Sequence, residues 1–369
     1  MKISFSHINS LLFSIIFMCA TLSDSFVDLF FPFLNEIILL CFFFLIAFNF
    51  KKFKYDFGAL LFIVPCVAFC VLSVISSSNL HLGGYNTAVF IIIILSLFSI
   101  TGISFNTNLL NKLLVFFSYG VLASSWYLMR IGYPELLGFE KASGIFINSN
   151  SFGMFIAFMI AFSVLSFKKS VFKWVYVFSL LPFLIFTNSR GSLLFILVFL
   201  ILYLIKMSKS VNRLSFYSLL GVGILLVGII AFNAFLIDSD IKLVNKIQKS
   251  GSSGRFEIWS KIISNMLNDG THLLFGSGPS TTFVDGKSAH NSYINESSNL
   301  GVFFVIFYVF LMIYKYIKFY ISRYNDFLII IIPVFLLGTV ESILFINSLF
   351  WLMLLYINMK FKSVNLSID

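Results

Sequence analysis

Apolar runs of about 15 to 23 residues recur along almost the whole chain, separated by short polar breaks, and that rhythm limits the fold more than any motif does. A run of this length crosses a hydrocarbon core of about 30 Å when it is helical. In lipid every backbone amide must be satisfied within the spanning structure, which leaves only helices or a closed barrel. A barrel would need ten-residue segments of alternating polarity, and the sequence has none. Composition agrees: 59% of residues are hydrophobic, 50 are phenylalanine and only 11% are charged. Mean hydropathy is +1.00, so there are too few charges to cover a water-soluble domain. The expected class is an all-α polytopic integral membrane protein.

Reading runs and breaks predicts twelve transmembrane helices at residues 8–23, 33–50, 57–76, 85–103, 109–129, 146–167, 172–187, 192–205, 214–237, 299–314, 327–341 and 344–359. With the N-terminus inside, 16 of the 25 Lys and Arg residues fall in cytoplasmic loops or tails, as positive-inside bias requires. The net charge of +10 therefore marks cytoplasmic loops and not nucleic-acid binding. The first span follows Lys2 and ends in small and polar residues up to Ser25 without a clean A-x-A site, so it reads as a signal anchor. Cys19, Cys41, Cys66 and Cys70 lie inside apolar runs with no histidine or carboxylate at hand, and read as packing residues.

Between Lys173 and Lys206 the apolar stretch is too long for one crossing and carries a charge at its middle. It is expected to fold as a hairpin turning at Asn188, Ser189, Arg190, Gly191 and Ser192, which holds Arg190 at the outer end of two short helices. An arginine at that depth costs on the order of 2 kcal/mol unless it has a partner or a wet cavity, so it is a functional candidate. The alternative is an arginine that merely snorkels to lipid headgroups.

The one long hydrophilic segment, 238–298, is expected outside. Within it Phe256, Trp259, Ile262, Ile263, Met266 and Leu267 recur at helical spacing after Arg255, with Gly270 as a stop signal, and predict an amphipathic helix at the interface. "LLFGSGPSTT" lacks the helix start and lysine of a phosphate-binding P-loop. Asp238-Ser239-Asp240 has the shape of a metal-dependent sugar-nucleotide motif, but a solvated helix end is the better reading outside the cytoplasm. No metal site is expected. His7, His81 and His272 read as lone histidines without a special role, while Glu36 and Glu341 sit in or at the ends of spans, where carboxylates face a cavity or a polar partner. Arg190, Arg255 and His290 remain, on three segments that the topology brings to one face. Two fixed cations and a group that takes a proton near neutral pH suit a phosphate-rich leaving group and an activated hydroxyl.

At these residues the sequence resembles the O-antigen ligase/polymerase family of bacterial envelope enzymes. "TNSRGSLLFILV", "SGRFEIWSKII" and "LFGSGPST…SAHNSYINESSNLGVFFVIFY" occur in that order, and "GIFINSNSFGMFIAF" is similar to the polar start of a middle span there. The likeness covers about Gly144–Ile313. It implies a fold related to the C-type glycosyltransferases and an inverting glycosyl transfer, without metal or other cofactor, at the periplasmic face of the inner membrane. The implied donor is a glycan on undecaprenyl pyrophosphate, with membrane lipid and a chain-length regulator protein as further partners. Carried over by position, Arg190 and Arg255 would pair with the pyrophosphate, and His290 would deprotonate or orient the acceptor hydroxyl. Asn291 would hold sugar or imidazole, while Ser189 and Glu296 would be further substrate contacts, Glu296 reading equally well as a solvated loop carboxylate. "NSRGSLL" and "GRFEIW" look more like the polymerase branch than the ligase branch. A lipid-linked oligosaccharide flippase is the rival from another class, but it would carry its charges within the spans. The expected division is 1–143 for the N-terminal helices, 144–237 for the central helices with the Arg190 turn, 238–298 for the periplasmic loop and 299–369 for the C-terminal helices.

Overall fold

The computed structural model describes residues 4–23, 25–31, 33–50, 54–55, 57–76, 91, 100–101, 103–138, 141–167, 171–207, 255–278, 289, 291–321, 325–338 and 356. Among these the architecture is helical apart from one two-residue strand pairing and an isolated bridge. The bundle comprises α1 (Phe5–Ser23), α2 (Leu34–Asn49), α3 (Phe57–Ser76), α4 (Thr107–Arg130), the single turn α5 (Tyr133–Leu136), α6 (Ser149–Ser166), α7 (Val171–Phe186) and α8 (Arg190–Met207). Three short helices follow: α9 (Arg255–Asn268), α10 (Gly270–Phe275) and α11 (Ser292–Leu300). Then α12 (Val302–Ile321) and α13 (Asn325–Gly338) return to the bundle.

Among the described residues five helices, α1, α3, α4, α6 and α12, are long and apolar enough to cross a membrane, and α2, α7 and part of α13 are shorter apolar helices. The protein is a multi-pass membrane protein. The expected spans that fall on described residues are largely helical, although 299–314 is broken at Gly301 between two helices, whereas 214–237 and nearly all of 85–103 and 344–359 lie outside them. The count of twelve is therefore an expectation only in part met by observed helices. One expected boundary is corrected. Ile100–Thr101 pairs antiparallel with Lys54–Tyr55, so the end of the fourth expected span is a strand and not helix. The expected loop lysines Lys173, Lys206, Lys315 and Lys318 are likewise helical, and Lys173 and Lys315 are buried. Lys173, buried, donates to the Val164 carbonyl.

Helix α6 lies at the centre of the bundle. It is apolar on all sides, so burial on all sides is the stable solution, and Phe152, Phe155, Ile156, Phe158 and Met159 are inaccessible. Helices α7 and α8 pack on it, α13 packs on α8, α3 on α12, and α1 on both α2 and α4. The outer faces keep large apolar side chains exposed, Phe116 at 83% and Phe57 at 75%, as a lipid-facing surface does. All four cysteines are buried and unpaired, as packing residues are expected to be. Polar groups inside the bundle find partners on neighbouring helices: Asn9 and Asn49 exchange reciprocal amide hydrogen bonds of 3.0 and 2.7 Å, and Ser118 meets the Tyr176 hydroxyl at 2.6 Å. His7, expected to have no role, bridges Ser4 and Asn106 and so ties the start of α1 to the cap of α4.

Candidate functional site

The first component is the turn between α7 and α8. Proline 182 sits in the last turns of α7. The helix ends at Phe186, and Asn188 takes a left-handed conformation (φ 52°), which asparagine tolerates better than most residues. The hairpin expected from sequence is thus present, with Arg190 as the first residue of α8. Ser189 is buried: its hydroxyl meets that of Ser192 at 2.9 Å and accepts from the Ser192 amide. The turn presses on α6 at Gly153, where an added Cβ would lie 2.7 Å from Ser189 Cβ and 2.9 Å from Ser192 Oγ. Arg190 itself is exposed at a helix N-terminus, where unpaired amides and the helix dipole add to its positive field.

The second component is a cap of three short helices. Helix α9 begins at Arg255, as expected, but its buried stripe is Ile258, Ile262 and Met266, which pack with Ala289 and against Trp259, Leu273, Ile294 and Val302. Ile263 and Leu267, expected on the apolar face, are 43% and 66% exposed. The stripe turns because α9 packs on α10 and α11, not only on a membrane surface. Helix α9 ends at Asn268, just before the expected stop at Gly270, and Gly270 also opens α10, which Asp269 caps by accepting from the Thr271 and His272 amides. The Thr271 hydroxyl and these amides hold the Asp269 carboxyl below its ordinary range.

The cap is closed by a polar clamp. The amides of Ser277 and Gly278 donate to the Ser298 and Asn299 carbonyls at 2.9 and 3.0 Å, and the Ser73 hydroxyl of α3 donates to the Asn299 carbonyl at 2.6 Å. His272 also meets Ser298, at its carbonyl (3.1 Å) and its hydroxyl (3.3 Å), so the reading of this histidine as without a role is corrected. Gly276 and Gly301 have φ of 75° and 89°, and a Cβ on either would run into the backbone of the other strand of the clamp. The "GSG" amides at 277 and 278 are thus committed to the chain itself, in line with the expectation that they do not cradle phosphate.

The expected site residues meet unevenly in this frame. Asn291 is the N-cap of α11, its side-chain oxygen accepting from Tyr293 and Ile294. Glu296 is buried and not solvated; burial pushes its carboxyl up to about 8, against opposing hydrogen bonds from Asn295 and Asn299. Helix α11, which carries it, packs on α3. His290, Asp238, Asp240, His81 and Glu341 lie outside the described residues, as does the side chain of Arg255. The neighbours of His290 are described, however. The indole of Trp259, one helical turn beyond Arg255, donates to the Ala289 carbonyl at 2.6 Å. Helix α9 is thereby fixed to the residue before His290, while the Arg190 turn rests on α6. Sequence reasoning placed Trp259 on the helical stripe but missed its bond to Ala289, and it missed Gly153 and the close backbone approaches at Gly276 and Gly301. A glycine inside an otherwise apolar helix was the available signal for Gly153, because it lowers helix stability without a packing reason.

A bundle of apolar helices with a polar helical cap and a cation-bearing turn defines a multi-pass membrane protein whose polar chemistry is concentrated in a few segments. Residues 174–309, from Trp174 of α7 to Val309 of α12, match the model of a family described as O-antigen ligase. That stretch contains Arg190, Arg255 and His290, and the match supports placing the chain in the O-antigen ligase/polymerase family. A comparison with curated proteins finds no match.

Proposed function

We propose that the protein is an O-antigen polymerase, joining undecaprenyl-pyrophosphate-linked repeat units at the periplasmic face of the inner membrane. The observation that carries this reading is the Trp259–Ala289 hydrogen bond, which couples the helix bearing Arg255 to the residue before His290 within the matched stretch. In the proposed reaction the acceptor hydroxyl oxygen attacks the anomeric carbon of the donor sugar from the face opposite the leaving group. His290 takes the hydroxyl proton, the bond from the anomeric carbon to the pyrophosphate oxygen breaks, and undecaprenyl pyrophosphate leaves with both bonding electrons. Arg190 and Arg255 stabilise the charge that builds on the leaving oxygens. Asn291, as cap of α11, orients the segment that bears His290, and Ser189 sets the Arg190 turn. Glu296, whose carboxyl burial pushes up to about 8, adds no negative charge to the cap near neutral pH. No step needs a metal ion.

The description of the matched family favours a ligase as the second reading. The lipopolysaccharide profile of a deletion strain separates the two. A polymerase leaves single repeats on the core, because a separate ligase still attaches them. Loss of a ligase leaves naked core with long polymer on undecaprenyl pyrophosphate. Single repeats stalled on the cytoplasmic leaflet would instead indicate a flippase.

A further inference from the structure

A cavity of about 850 Å³ opens at the end of the bundle opposite the Arg190 turn, between the start of α4, the end of α6 and the start of α7. The chain of α7 separates the two places: Phe172 at its beginning lines the cavity, and its far end leads into the Arg190 turn. The walls combine two chemistries. Val115, Phe116, Phe167 and Phe172 form an apolar side, and Phe116 is among the most exposed large side chains of the molecule. Asn111 and Lys112 form a polar side.

Among the polar residues of the wall, Asn111 and Lys112 each leave a polar group without a partner among the described residues. The Asn111 amide nitrogen donates to the Ser166 carbonyl at 3.3 Å, but its side-chain oxygen is buried without a hydrogen-bond partner among the described residues. A buried acceptor left so calls for a donor from outside the chain. Lys112 is exposed on the sixth residue of an apolar helix and has no ion pair among the described residues. A lysine about 8 Å along a spanning helix is stabilised by an anion at headgroup depth. No carboxylate is among the described residues that line the cavity, which favours an anionic headgroup over an ammonium one.

We propose that this cavity is a binding site for an anionic glycerophospholipid with headgroup hydroxyls, its phosphate on Lys112, a hydroxyl donating to Asn111 Oδ1, and its acyl chains along Phe116 and Phe172. The volume suits a headgroup with the first part of its chains, being within the range of small-molecule sites. Charge places the site toward the cytoplasmic leaflet, since Lys112 is one of the lysines that orient the chain. The site is independent of the glycosyl transfer proposed above.

The test uses the purified full-length protein in detergent with phosphatidylglycerol, phosphatidylcholine or water-soluble glycerophosphoglycerol, binding being read by native mass spectrometry. Phosphatidylglycerol should be retained in preference to phosphatidylcholine. Lys112→Gln should weaken that retention about fivefold, which is the effect of one basic residue at a lipid surface. Asn111→Leu should weaken it independently, and Arg190→Ala should leave it unchanged. Equal binding of the two lipids, or wild-type retention by both Lys112→Gln and Asn111→Leu, would overturn the site. Full displacement of lipid by glycerophosphoglycerol would also overturn it, because it would show a soluble-phosphate site without a role for the chains.

Discussion

In the bundle, α6 buries phenylalanines on every side and the polar groups are few, some of them paired across helices as Asn9 is with Asn49; in the cap, a small apolar cluster around Ile262 is held by a dense set of backbone and hydroxyl contacts at Ser277, Ser298 and Asn299. The difference follows from the solvent. Lipid gives no hydrophobic reward for bringing two apolar helices together, so shape and isolated polar pairs decide the bundle. Helices as short as α9, α10 and α11 have no independent stability in water, and the cap must be fastened residue by residue. A region fastened in this way can hold exposed polar side chains in fixed positions, which is what a reaction at the membrane surface needs.

The contrast predicts a graded set of responses. Losing a cation should be the largest: Arg255→Ala and Arg190→Ala should each lower the turnover rate about 10²- to 10³-fold with protein level unchanged, as loss of a charge-stabilising contact does. Lysine at either position should restore only part of it, lacking the planar fork. Steady-state turnover with lipid-linked donor measures this, and full activity in an alanine variant would return that arginine to the snorkelling reading.

Next in size is the clamp. Gly301→Val should cost about 2 to 4 kcal/mol through a strained φ and a clash with the Leu274 and Phe275 backbone. The cap should become sensitive to limited proteolysis while the bundle fragment persists. Coincident digestion of cap and bundle would show that the two regions are not separable.

Glu296 gives an effect that appears only as pH rises. Its carboxyl lies up at about 8 in the folded protein against an ordinary 4.5, so the unfolded chain ionises first. Its contribution therefore lowers stability as pH rises from about 4.5 to about 8, and is absent below that window. Glu296→Gln should flatten the fall of Tm across this range and leave Tm higher at pH 8. An unchanged slope would mean that Glu296 is charged in the fold.

The smallest response belongs to the bundle. Asn9→Leu breaks the reciprocal pair with Asn49 and should cost about 0.6 to 2 kcal/mol, the value of an interhelical hydrogen bond in lipid. Thermal unfolding in detergent would read it, and activity should stay within about twofold of wild type.

Much of this was legible in the sequence because lipid imposes it. Spans such as 57–76 and 172–187 follow from apolar length alone, and the turn at Asn188–Arg190 follows from a charge that cannot sit mid-membrane. The cap was less legible. Helical spacing marked α9 but not its buried face, since both Ile262 and Ile263 are apolar and only the partners α10 and α11 choose between them. Residues 292–298 of α11 read as polar loop and only its last two as the start of a span, and the helix depends on the Asn291 cap and on contacts with α3 that no local pattern records. The roles of His272, Gly276 and Gly301 arise from segments that meet only in the fold.

The central claim, that the cap around His290 carries a glycosyl transfer, is tested most directly with purified protein and an undecaprenyl-pyrophosphate-linked repeat. Wild type should build a ladder of longer glycans on the lipid, and should do so in EDTA. His290→Ala, folded and retaining the wild-type Tm, should build none. A ladder formed by His290→Ala at the wild-type rate would contradict the account.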